Sequence, residues 1–481
     1  MSNAFLENEP SYEEGDIRNP RVQQERIFSQ DKNILDAVSA FAIRVRACPM
    51  DPHHPECVPT AVLVGGFVRD ALAGKHPKDA DIEVYGVSTQ RLEALLDQLY
   101  GHRVNKVGRT FGIFKVALGE GVDLDISIPR RESKMGSGHR GFDVQGDPFM
   151  SPKEAARRRD FTFNALFADP LTGTCTDFFG GMDDLKTHTL RVTDEERFQD
   201  DPLRVYRAMQ FVARLHLHVE ETSFRLMKRM VERGDLHELT KDRITEEWAK
   251  LLLKADAPSR GFDLAEKLGI FEWYHPELAF KDSWEHFLHT IDGSVQRMQA
   301  SEHPFTANER LQVLLSIFFL HTEAPATMAE EFFAKTSFSK KDVCAHVASL
   351  LKEQGEPKRI FSAWEAGELT EKQTANEIRQ VIRRIYPISP FALLAVGQAQ
   401  DDQHRNDPTH LFFTHLAQHP EWLHPKNALL VRGEDLKVLG IVPGKAMGEM
   451  LRRIEEARDR GEVETREEAL EWISSRLSRS L

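Results

Sequence analysis

Strand-like apolar runs and helical periods are interspersed along the chain up to about residue 188. Apolar residues recur at helical spacing from Gln23 to Arg46, and a strand-like run, Ala61–Val64, follows a proline-rich stretch. Further elements are predicted as one helix, Gln90–Tyr100, and three strands, Val84–Tyr85, Ile113–Val116 and Asp123–Ile128. This pattern predicts an α/β head built on a mixed sheet.

From Asp200 onward the apolar period is helical, and no further strand is predicted. The clearest predicted helices are Asp201–Leu215, Glu221–Arg233, Thr245–Leu253 and Pro258–Leu268. We therefore expect an α+β protein whose N-terminal α/β head is followed by an all-helical neck, body and tail. The expected parts are a flexible N-terminal arm (1–22), the head (23–188), the neck (189–255), the body (256–350) and the tail (351–481).

The composition is that of a soluble protein with several hydrophobic cores. Of 481 residues, 41% are hydrophobic and 29% are charged, and no apolar run approaches the roughly 18 residues that span a bilayer. The N-terminal stretch is polar and acidic, unlike a signal peptide. Four cysteines are too few for a disulfide framework in so long a chain. We therefore expect a cytoplasmic protein of several domains, with no membrane partner.

The net charge of −13 is distributed unevenly. An acidic protein is not expected to coat nucleic acid, because phosphate binding requires a positive surface. Two stretches are nevertheless basic, Arg130–Arg140 and Lys153–Arg159. They are either solvated faces or the place where an otherwise acidic enzyme holds a nucleic acid.

A predicted strand leads directly into a pair of glycines, Gly65 and Gly66, and then into a short helix that carries Arg69 and Asp70. Glycines at such a turn allow the backbone to approach a phosphate, and the following helix offers free N–H groups to an anion. The same pair of glycines is also typical of a purely structural turn.

Paired carboxylates follow the glycine turn. Asp79 and Asp81 are two residues apart on a predicted strand, so their side chains point to the same face. Asp125 lies on a later strand and could complete the cluster. Carboxylates this close repel one another unless a cation lies between them, and oxygen ligands suit Mg²⁺. The pattern predicts Asp79, Asp81 and Asp125 as catalytic residues, with Mg²⁺ held by Asp79 and Asp81 and with Glu83 as a neighbour of the cluster.

These motifs resemble the polymerase-β-type nucleotidyltransferase superfamily. Within it, Arg158–Ala165 and Asp200–Arg207 resemble class II tRNA nucleotidyltransferases and bacterial poly(A) polymerases, and the resemblance extends from about residue 60 to 280. It implies a template-independent enzyme that binds tRNA, CTP and ATP and adds CCA to the tRNA 3′ end with release of pyrophosphate. An enzyme that adds only A, to tRNA or as poly(A), and a catalytically silent RNA-binding protein remain as alternatives.

The resemblance also implies which residues hold the nucleotide. The turn residues and the matching positions of the two later motifs would contact its phosphates and ribose: Gly65, Gly66, Arg69, Asp70, Arg159, Asp160, Asn164 and Arg207. One departure is Asp200, where the family usually has glutamate.

Asp201 and Arg204 are predicted to read the base. They are three residues apart on a predicted helix and so share a face. A carboxylate beside a guanidinium offers an acceptor and donors, which suits the amino group and adjacent ring nitrogen of C and A but not the reversed edges of U and G. The alternative is a surface salt bridge between the two side chains.

Two further segments are expected to bind RNA. The stretch Arg130–Gly141 resembles the flexible loop with which class II enzymes change from C to A addition, and Arg130, Arg131 and Lys134 are its predicted RNA-binding residues. The tail carries glycines around Pro443 between two predicted helices, which suits contact with a tRNA backbone or a tight hairpin without a ligand.

The body resembles a vestigial HD phosphohydrolase domain, with scattered histidines as the alternative. His286 and His321 fall at the expected places, but Thr322 stands where a bridging carboxylate is required. A hydroxyl is a poor replacement for that ligand, so we expect no phosphohydrolase activity.

Overall fold

The computed structural model describes residues 21–23, 32–75, 80–108, 112–119, 122–134, 142–276, 278, 280, 284–399, 418, 429–459 and 461–477. The chain divides into two compact units. The first comprises the described residues up to Glu247 together with Asp263–Tyr274, and the second comprises Trp248–Phe262 and the described residues from His275 onward. The expected boundaries of arm, head, neck, body and tail stay predictions. Residues 1–20 of the arm lie outside the described residues.

Among the described residues, twelve strands form one mixed sheet and two small ribbons. The strands are β1 Arg21–Gln23, β2 Thr60–Val64, β3 Ala80–Tyr85, β4 Val104–Gly108, β5 Ile113–Gly119, β6 Val122–Ser127, β7 Arg130–Lys134, β8 Phe142–Gly146, β9 Leu166–Ala168, β10 Cys175–Asp177, β11 Thr189–Leu190 and β12 His218–Val219. The sheet has the order β1-β10-β9-β2-β3-β6-β5-β4, while β7 pairs with β8 and β11 with β12. Only the β3–β6 pair of the sheet is parallel.

The first unit also contains the N-terminal helices. They are α1 Lys32–Arg46, α2 Gly65–Leu72, α3 Thr89–Tyr100, α4 Pro152–Arg157, α5 Gly181–Lys186, α6 Glu195–Phe198, α7 Leu203–Leu215, α8 Glu221–Glu232, α9 Lys241–Lys254, α10 Ser259–Leu268 and α11 Ile270–Tyr274, of which α9 and α10 extend across the boundary between the units. Of the helix predicted over Gln23–Arg46, the structure describes Lys32–Arg46 as α1 and places Gln23 in β1, while residues 24–31 lie outside the described residues.

The central strand β2 is covered on both faces, so the sheet lies between two hydrophobic cores. Its five residues are all buried. Ala61 and Leu63 join a core that includes apolar residues of α1 and α3, whereas Val62 and Val64 join a second core that includes Phe167. Strand side chains alternate between faces, so an almost continuous apolar run such as this one predicts a strand covered on both sides.

One short strand lies beyond residue 200, where no strand was predicted. Helix α7 ends at Leu215, the next residue His216 has a left-handed φ of 52°, and His218–Val219 then lies parallel to Thr189–Leu190. The prediction of no strand beyond residue 200 is therefore wrong at β12. Two residues are too few to produce a period-2 signal.

The second unit is helical. Its remaining helices are α12 Trp284–Ala300, α13 Ala307–Leu320, α14 Pro325–Ala334, α15 Ala345–Glu353, α16 Glu356–Glu365, α17 Glu371–Ile385, α18 Pro390–Gln398, α19 Gly433–Val438, α20 Lys445–Asp459 and α21 Arg466–Leu477. Aromatic rings such as Trp248, Phe262, Phe287 and Phe318 pack together in its core. The predicted α+β class is confirmed. In the part of the chain that is described, every helix is too short or too polar to cross a membrane.

Candidate active site

The glycine turn joins β2 to α2 and brings the backbone close to two charged side chains. Gly65 has a φ of +62°, and a Cβ built on it would lie 2.8 Å from Arg159 Nη1. A Cβ on Gly66 would lie 3.8 Å from Asp81 Oδ2. Gly65 is therefore required twice, for its left-handed backbone and for the close approach of Arg159.

Asp81 and Asp125 are direct neighbours on parallel strands. The register of β3 and β6 pairs them, and alternation explains their direction: Ala80 and Ile82 enter the core while Asp81 stays half-buried on the other face. Among the described residues, no hydrogen-bond donor reaches the buried Oδ1 of Asp125, although Lys115 Nζ lies 3.4 Å from it. The sequence therefore placed these two carboxylates together correctly.

Asp79, the other predicted metal ligand, lies outside the described residues. Within the described ranges, no group of three or more histidine, cysteine or acidic side chains is arranged to hold a metal ion. The donor set that the structure does describe, Asp81 and Asp125, consists of carboxylate oxygens, which are the ligands that Mg²⁺ prefers.

A cleft of about 440 Å³ opens over these two carboxylates. Charged side chains of both signs line it: Asp81, Glu83, Asp125, Lys115, Arg130, Arg158 and Arg159. A site of this kind suits a polyanion such as a triphosphate, because the cations face the phosphates and the carboxylates can hold a cation. Sequence reasoning missed Lys115 and Arg158. Lys115 shares the cleft-facing side of β5 with Ile113, which period-2 alternation could have indicated.

Glu83 belongs to the cleft but has its own partners. Its Oε2 accepts a hydrogen bond of 2.5 Å from the Tyr85 hydroxyl, and its Oε1 lies 3.7 Å from Arg159 Nη2. Burial raises the pKa of Tyr85 well above its usual value, and the negative charge of Glu83 adds to the shift. Tyr85 therefore stays a donor to Glu83 at physiological pH, and Glu83 in turn positions Arg159.

Five of the predicted nucleotide residues outside the cleft form one hydrogen-bonded network with a buried centre. Arg69 donates to Asp70 and to Asn164, both at 2.7 Å. Asn164 donates to Asp160 Oδ1 at 2.9 Å, and Arg207 donates to Asp160 Oδ2 at 2.7 Å. The structure thus brings together all five of these predicted residues, and their side chains hydrogen-bond to one another.

Asp160 is the acidic centre of that network. Burial alone would raise its pKa, but the Arg207 guanidinium and the Asn164 amide outweigh burial and lower the pKa below its usual value. Arg207 is affected in the opposite direction, because Asp160 raises its pKa. Asp160 is therefore ionised and paired at neutral pH.

Asp201 and Arg204 do not pair with each other. Helix α7 begins at Leu203, so Asp201 precedes it rather than lying on its first turn. Arg243 donates to both Asp201 oxygens, at 3.1 and 2.8 Å. The expected alternative, a salt bridge between Asp201 and Arg204, is therefore not formed. Asp201 pairs instead with Arg243, which is 42 residues away and which no local sequence pattern could have indicated.

Arg204 instead donates to two backbone carbonyls. Its Nη1 lies 2.8 Å from the Arg197 oxygen and its Nη2 lies 2.6 Å from the Arg158 oxygen. Both groups of the predicted base-reading pair therefore have protein partners in this structure, and their role in base selection stays a prediction. Asp200, the departure from the family pattern, lies 3.9 Å from Arg197.

The predicted RNA-binding loop begins as a two-stranded ribbon, β7 with β8. Arg130 lines the cleft, whereas Arg131 lies outside it and donates to Asp147 at 2.5 Å. Residues 135–141 and the side chain of Lys134 lie outside what the structure describes. Arg130 is thus in contact with the cleft, and RNA binding by all three residues stays a prediction.

In the second unit, the two histidines of the HD-like segment are neighbours. The ring centroids of His286 and His321 are 5.4 Å apart, and the buried Thr322 hydroxyl donates to the Phe319 carbonyl at 2.6 Å. Thr322 therefore serves to terminate α13. The absence of phosphohydrolase activity stays a prediction.

Comparison with known families agrees with the location of the site. Residues 61–191, which begin at the glycine-turn strand, match the family described as Poly A polymerase head domain. Residues 216–281 match the family described as Probable RNA and SrmB-binding site of polymerase A. The similarity to poly(A) polymerases thus lies in residues 61–191 and 216–281 of this chain.

Curated relatives are called Multifunctional CCA protein. The one from Chromobacterium violaceum is 34% identical over 216 residues, which are 45% of this chain and 50% of the relative. The one from Stenotrophomonas maltophilia is 38% identical over 200 residues, which are 41% of this chain and 46% of the relative. The match thus spans about half the length of these relatives.

Solved structures resemble the fold over almost the whole chain. A CCA-adding enzyme with ATP has a TM-score of 0.63 at 24% identity, and the match covers 92% of this chain and 95% of that one. The Thermotoga maritima CCA-adding enzyme complexed with tRNA-CCA has a TM-score of 0.60 at 23% identity, with the same coverage. At these identities the likeness shows the fold.

Proposed function

We propose that the protein is a template-independent tRNA nucleotidyltransferase, which adds CCA to the tRNA 3′ end from CTP and ATP and releases pyrophosphate. The observation that carries the proposal is the pairing of Asp81 with Asp125 beside Gly65 in one charged cleft. The names of the curated relatives support CCA addition as the specific reaction. Because tRNA and nucleoside triphosphates are the substrates, the proposal places the activity in the cytoplasm.

The proposal includes a divalent cation, Mg²⁺, held by Asp79 and Asp81 with Asp125 beside them. The fit is supported by the buried Asp125 Oδ1, which among the described residues accepts no hydrogen bond. Mg²⁺ bound there would neutralise triphosphate charge and favour ionisation of the attacking hydroxyl.

The chain's own residues position the reactants. Arg158, Arg159 and Arg130 offer positive charge to the triphosphate from the walls of the cleft. The RNA 3′-oxygen forms a bond to the α-phosphorus, the bond from that phosphorus to the β-phosphate oxygen breaks, and pyrophosphate leaves. Glu83 holds Arg159 and so fixes one of the cations that face the leaving group.

In the proposed mechanism Asp201 and Arg204 select the base. Asp201 accepts from the amino group of C or A, and Arg204 donates to the adjacent ring nitrogen. Each side chain must exchange at least one present partner for the base, namely Arg243 for Asp201 and a backbone carbonyl for Arg204. When U or G enters, the partly buried Asp201 and Arg204 meet a base edge with which they cannot pair, which is the source of discrimination.

A single assay tests the proposal. The enzyme is incubated with labelled CTP or ATP and with three tRNAs that lack A, CA or CCA. We expect C incorporation into the shortest tRNA and A incorporation into the tRNA that ends in CC. Failure to incorporate either nucleotide into any of the three would overturn the proposal.

The same assay distinguishes the two alternatives. The matching head family is named for poly(A) polymerase, which favours an A-adding enzyme as the second candidate. Such an enzyme would use ATP alone, and a poly(A) polymerase would extend its primer by many residues. A catalytically silent RNA-binding protein would bind tRNA without incorporation, but the adjacent Asp81 and Asp125 argue against that reading.

A further inference from the structure

A second polar pocket adjoins the candidate active site in the first unit. It has a volume of about 460 Å³ and is lined chiefly by cations: Arg131, Lys153, Arg157, Arg158 and Arg197, with Glu154 as the one carboxylate among the described lining residues. We call it the basic pocket. Its charge contrasts with the net charge of −13 of the whole chain, so it is a local concentration of positive charge.

The basic pocket is contiguous with the catalytic cleft. Arg158 lines both. Strand β7 supplies consecutive arginines to the two sites, because Arg130 lines the cleft and Arg131 lines the basic pocket, as expected when neighbouring side chains of a strand point to opposite sides. A ligand that occupies both sites is therefore continuous past Arg158.

Two of these arginines, Arg157 and Arg197, each lie beside an acidic side chain that another anion can displace. Arg157 lies 3.5 Å from Asp194, with 44% of its side chain exposed, and Arg197 lies 3.9 Å from Asp200, with 49% exposed. Exposed ion pairs of this kind contribute roughly 0 to 1 kcal/mol. A backbone phosphodiester, with two charged non-bridging oxygens as acceptors, can therefore replace these carboxylates at small cost.

We infer that the basic pocket binds the phosphodiester backbone of the RNA primer just upstream of its reacting 3′ end, through Lys153, Arg157 and Arg197. The inference rests on the proposed function, because it takes the cleft as the position of that 3′ end. A primer whose terminal nucleotide lies at Asp81 and Asp125 continues along Arg158 and presents its preceding phosphates to the basic pocket. The contacts are to phosphate, so they hold any tRNA sequence equally.

The test is the salt dependence of RNA binding without nucleotides. The variant Lys153→Gln/Arg197→Gln removes two of the cations, and Arg46→Gln/Arg91→Gln is a matched control in the same unit, in which Arg46 also lies beside an acid, 3.4 Å from Asp169. We expect the slope of log Kd against log salt to fall by about 0.7 to 0.9 for each lost phosphate contact. The control should keep the wild-type slope.

Steady-state kinetics distinguish RNA from the other phosphate source, the nucleoside triphosphate. If the pocket holds primer, the variant raises KM for tRNA and leaves KM for CTP and ATP as in wild type. A raised KM for nucleotide with an unchanged KM for tRNA would overturn the inference in favour of triphosphate binding. Circular dichroism of each variant checks the fold, and the single variant Lys153→Gln repeats the measurement if the double variant is unfolded.

The outcomes separate the inference from the proposed function. If wild type incorporates CTP and ATP but the salt slope is unchanged in the variant, the basic pocket is wrongly assigned and the proposed function stands. If wild type incorporates nothing but the variant loses salt-dependent RNA binding, the basic pocket binds RNA phosphates, while the proposed function fails and with it the position of a reacting 3′ end in the cleft. If wild type does not bind tRNA at all, both are overturned.

Discussion

Individual carboxylates carry the most specific chemistry that we propose for the protein. Asp81 and Asp125 lie side by side on β3 and β6, so their charges repel and together attract a cation. Asp201 and Arg204 are tied to Arg243 and to two backbone carbonyls. In the proposed mechanism the first pair holds a cation, and the second pair changes partners to contact a base.

Replacement of Asp81 by alanine should abolish the addition of both C and A. Loss of a metal-binding carboxylate removes several kcal/mol of transition-state stabilisation, so the rate should fall by about a thousandfold or more. Asp79→Ala is expected to behave in the same way. The measurement is single-turnover incorporation from CTP and ATP, together with tRNA binding, which should survive. Asp36→Ala, an exposed change on α1, is the control, and retained turnover in Asp81→Ala with Mg²⁺ present would contradict the assignment.

Replacement of Arg204 by alanine should weaken base selection. An unpaired group costs about 1–3 kcal/mol, so discrimination against UTP and GTP should fall by a factor of about 5 to 150. Activity with CTP and ATP should also fall, because the correct bases lose a partner. The check is kcat/KM for all four nucleotides with one tRNA substrate. Full preference for CTP and ATP in this variant would show that the base is read elsewhere.

At the scale of elements, strands and turns were easier to predict than the contacts between distant segments. The buried run of β2 and the alternation on β3 and β6 are local patterns, so the sequence predicted the strands and the neighbouring carboxylates. The pairing of Arg243 with Asp201 depends on helix packing across 42 residues, which no period reveals. Strand β12 was missed because it consists of only two residues.

The glycine turn should respond to a methyl group in a way that another left-handed glycine does not. Gly65→Ala and Gly74→Ala both place alanine at positive φ, +62° and +72°, which costs about 1–2 kcal/mol. Only Gly65→Ala also displaces Arg159, whose Nη1 lies 2.8 Å from the added Cβ, whereas at Gly74 no described residue beyond its chain neighbours comes within 4 Å of the Cβ. We expect similar losses of stability by urea unfolding, but a raised KM for nucleotide only in Gly65→Ala. Equal KM values for nucleotide in the two variants would contradict a role for the close approach of Arg159 to Gly65.

The network around Asp160 joins the 3-10 turn at Thr162–Asn164 to α2 and α7. Asp160→Asn leaves the Arg207 charge without its carboxylate, and because Arg207 is partly exposed we expect a loss of about 1–3 kcal/mol at pH 7. The pKa of Asp160 is lowered in the folded protein, so its contribution is present above the unfolded value of about 3.9 and is lost as pH falls below it. Urea unfolding of wild type and variant between pH 7 and pH 3 measures this difference. If the difference in unfolding free energy between wild type and Asp160→Asn does not become smaller below about pH 4, Asp160 is not ionised in the folded protein as we infer.

At the scale of the whole molecule, sequence similarity and fold similarity cover different lengths of the chain. The curated relatives match less than half of this chain, while the solved structures match 92% of it. The motifs that resemble the family lie in the head. The likeness in fold to the solved structures, at 23–24% identity over the whole match, extends through the helical remainder. A helical core tolerates the replacement of one apolar residue by another as long as the helical period of apolar positions is kept. The helical fold of the second unit could therefore be predicted from its sequence, whereas any ligand of that unit could not.

We expect the helical unit to have no phosphohydrolase activity of its own. Thr322 hydrogen-bonds to the Phe319 carbonyl, which commits its hydroxyl to ending α13. Assays with 2′,3′-cyclic nucleotides and several divalent metals should therefore detect no hydrolysis. Hydrolysis that disappears in His286→Ala or His321→Ala would show that the two histidines form a working metal site.

The ribbon of β7 and β8 constrains how this region of the protein can vary in length. Arg130 and Arg131 serve different sites only because they are consecutive on one strand. Loss or gain of one residue within β7 would reverse the direction of every side chain beyond that point. An arginine that lines the cleft would then line the basic pocket instead, without any change in composition. We therefore expect homologous ribbons to differ by even numbers of residues, with odd changes confined to the loop that connects the two strands.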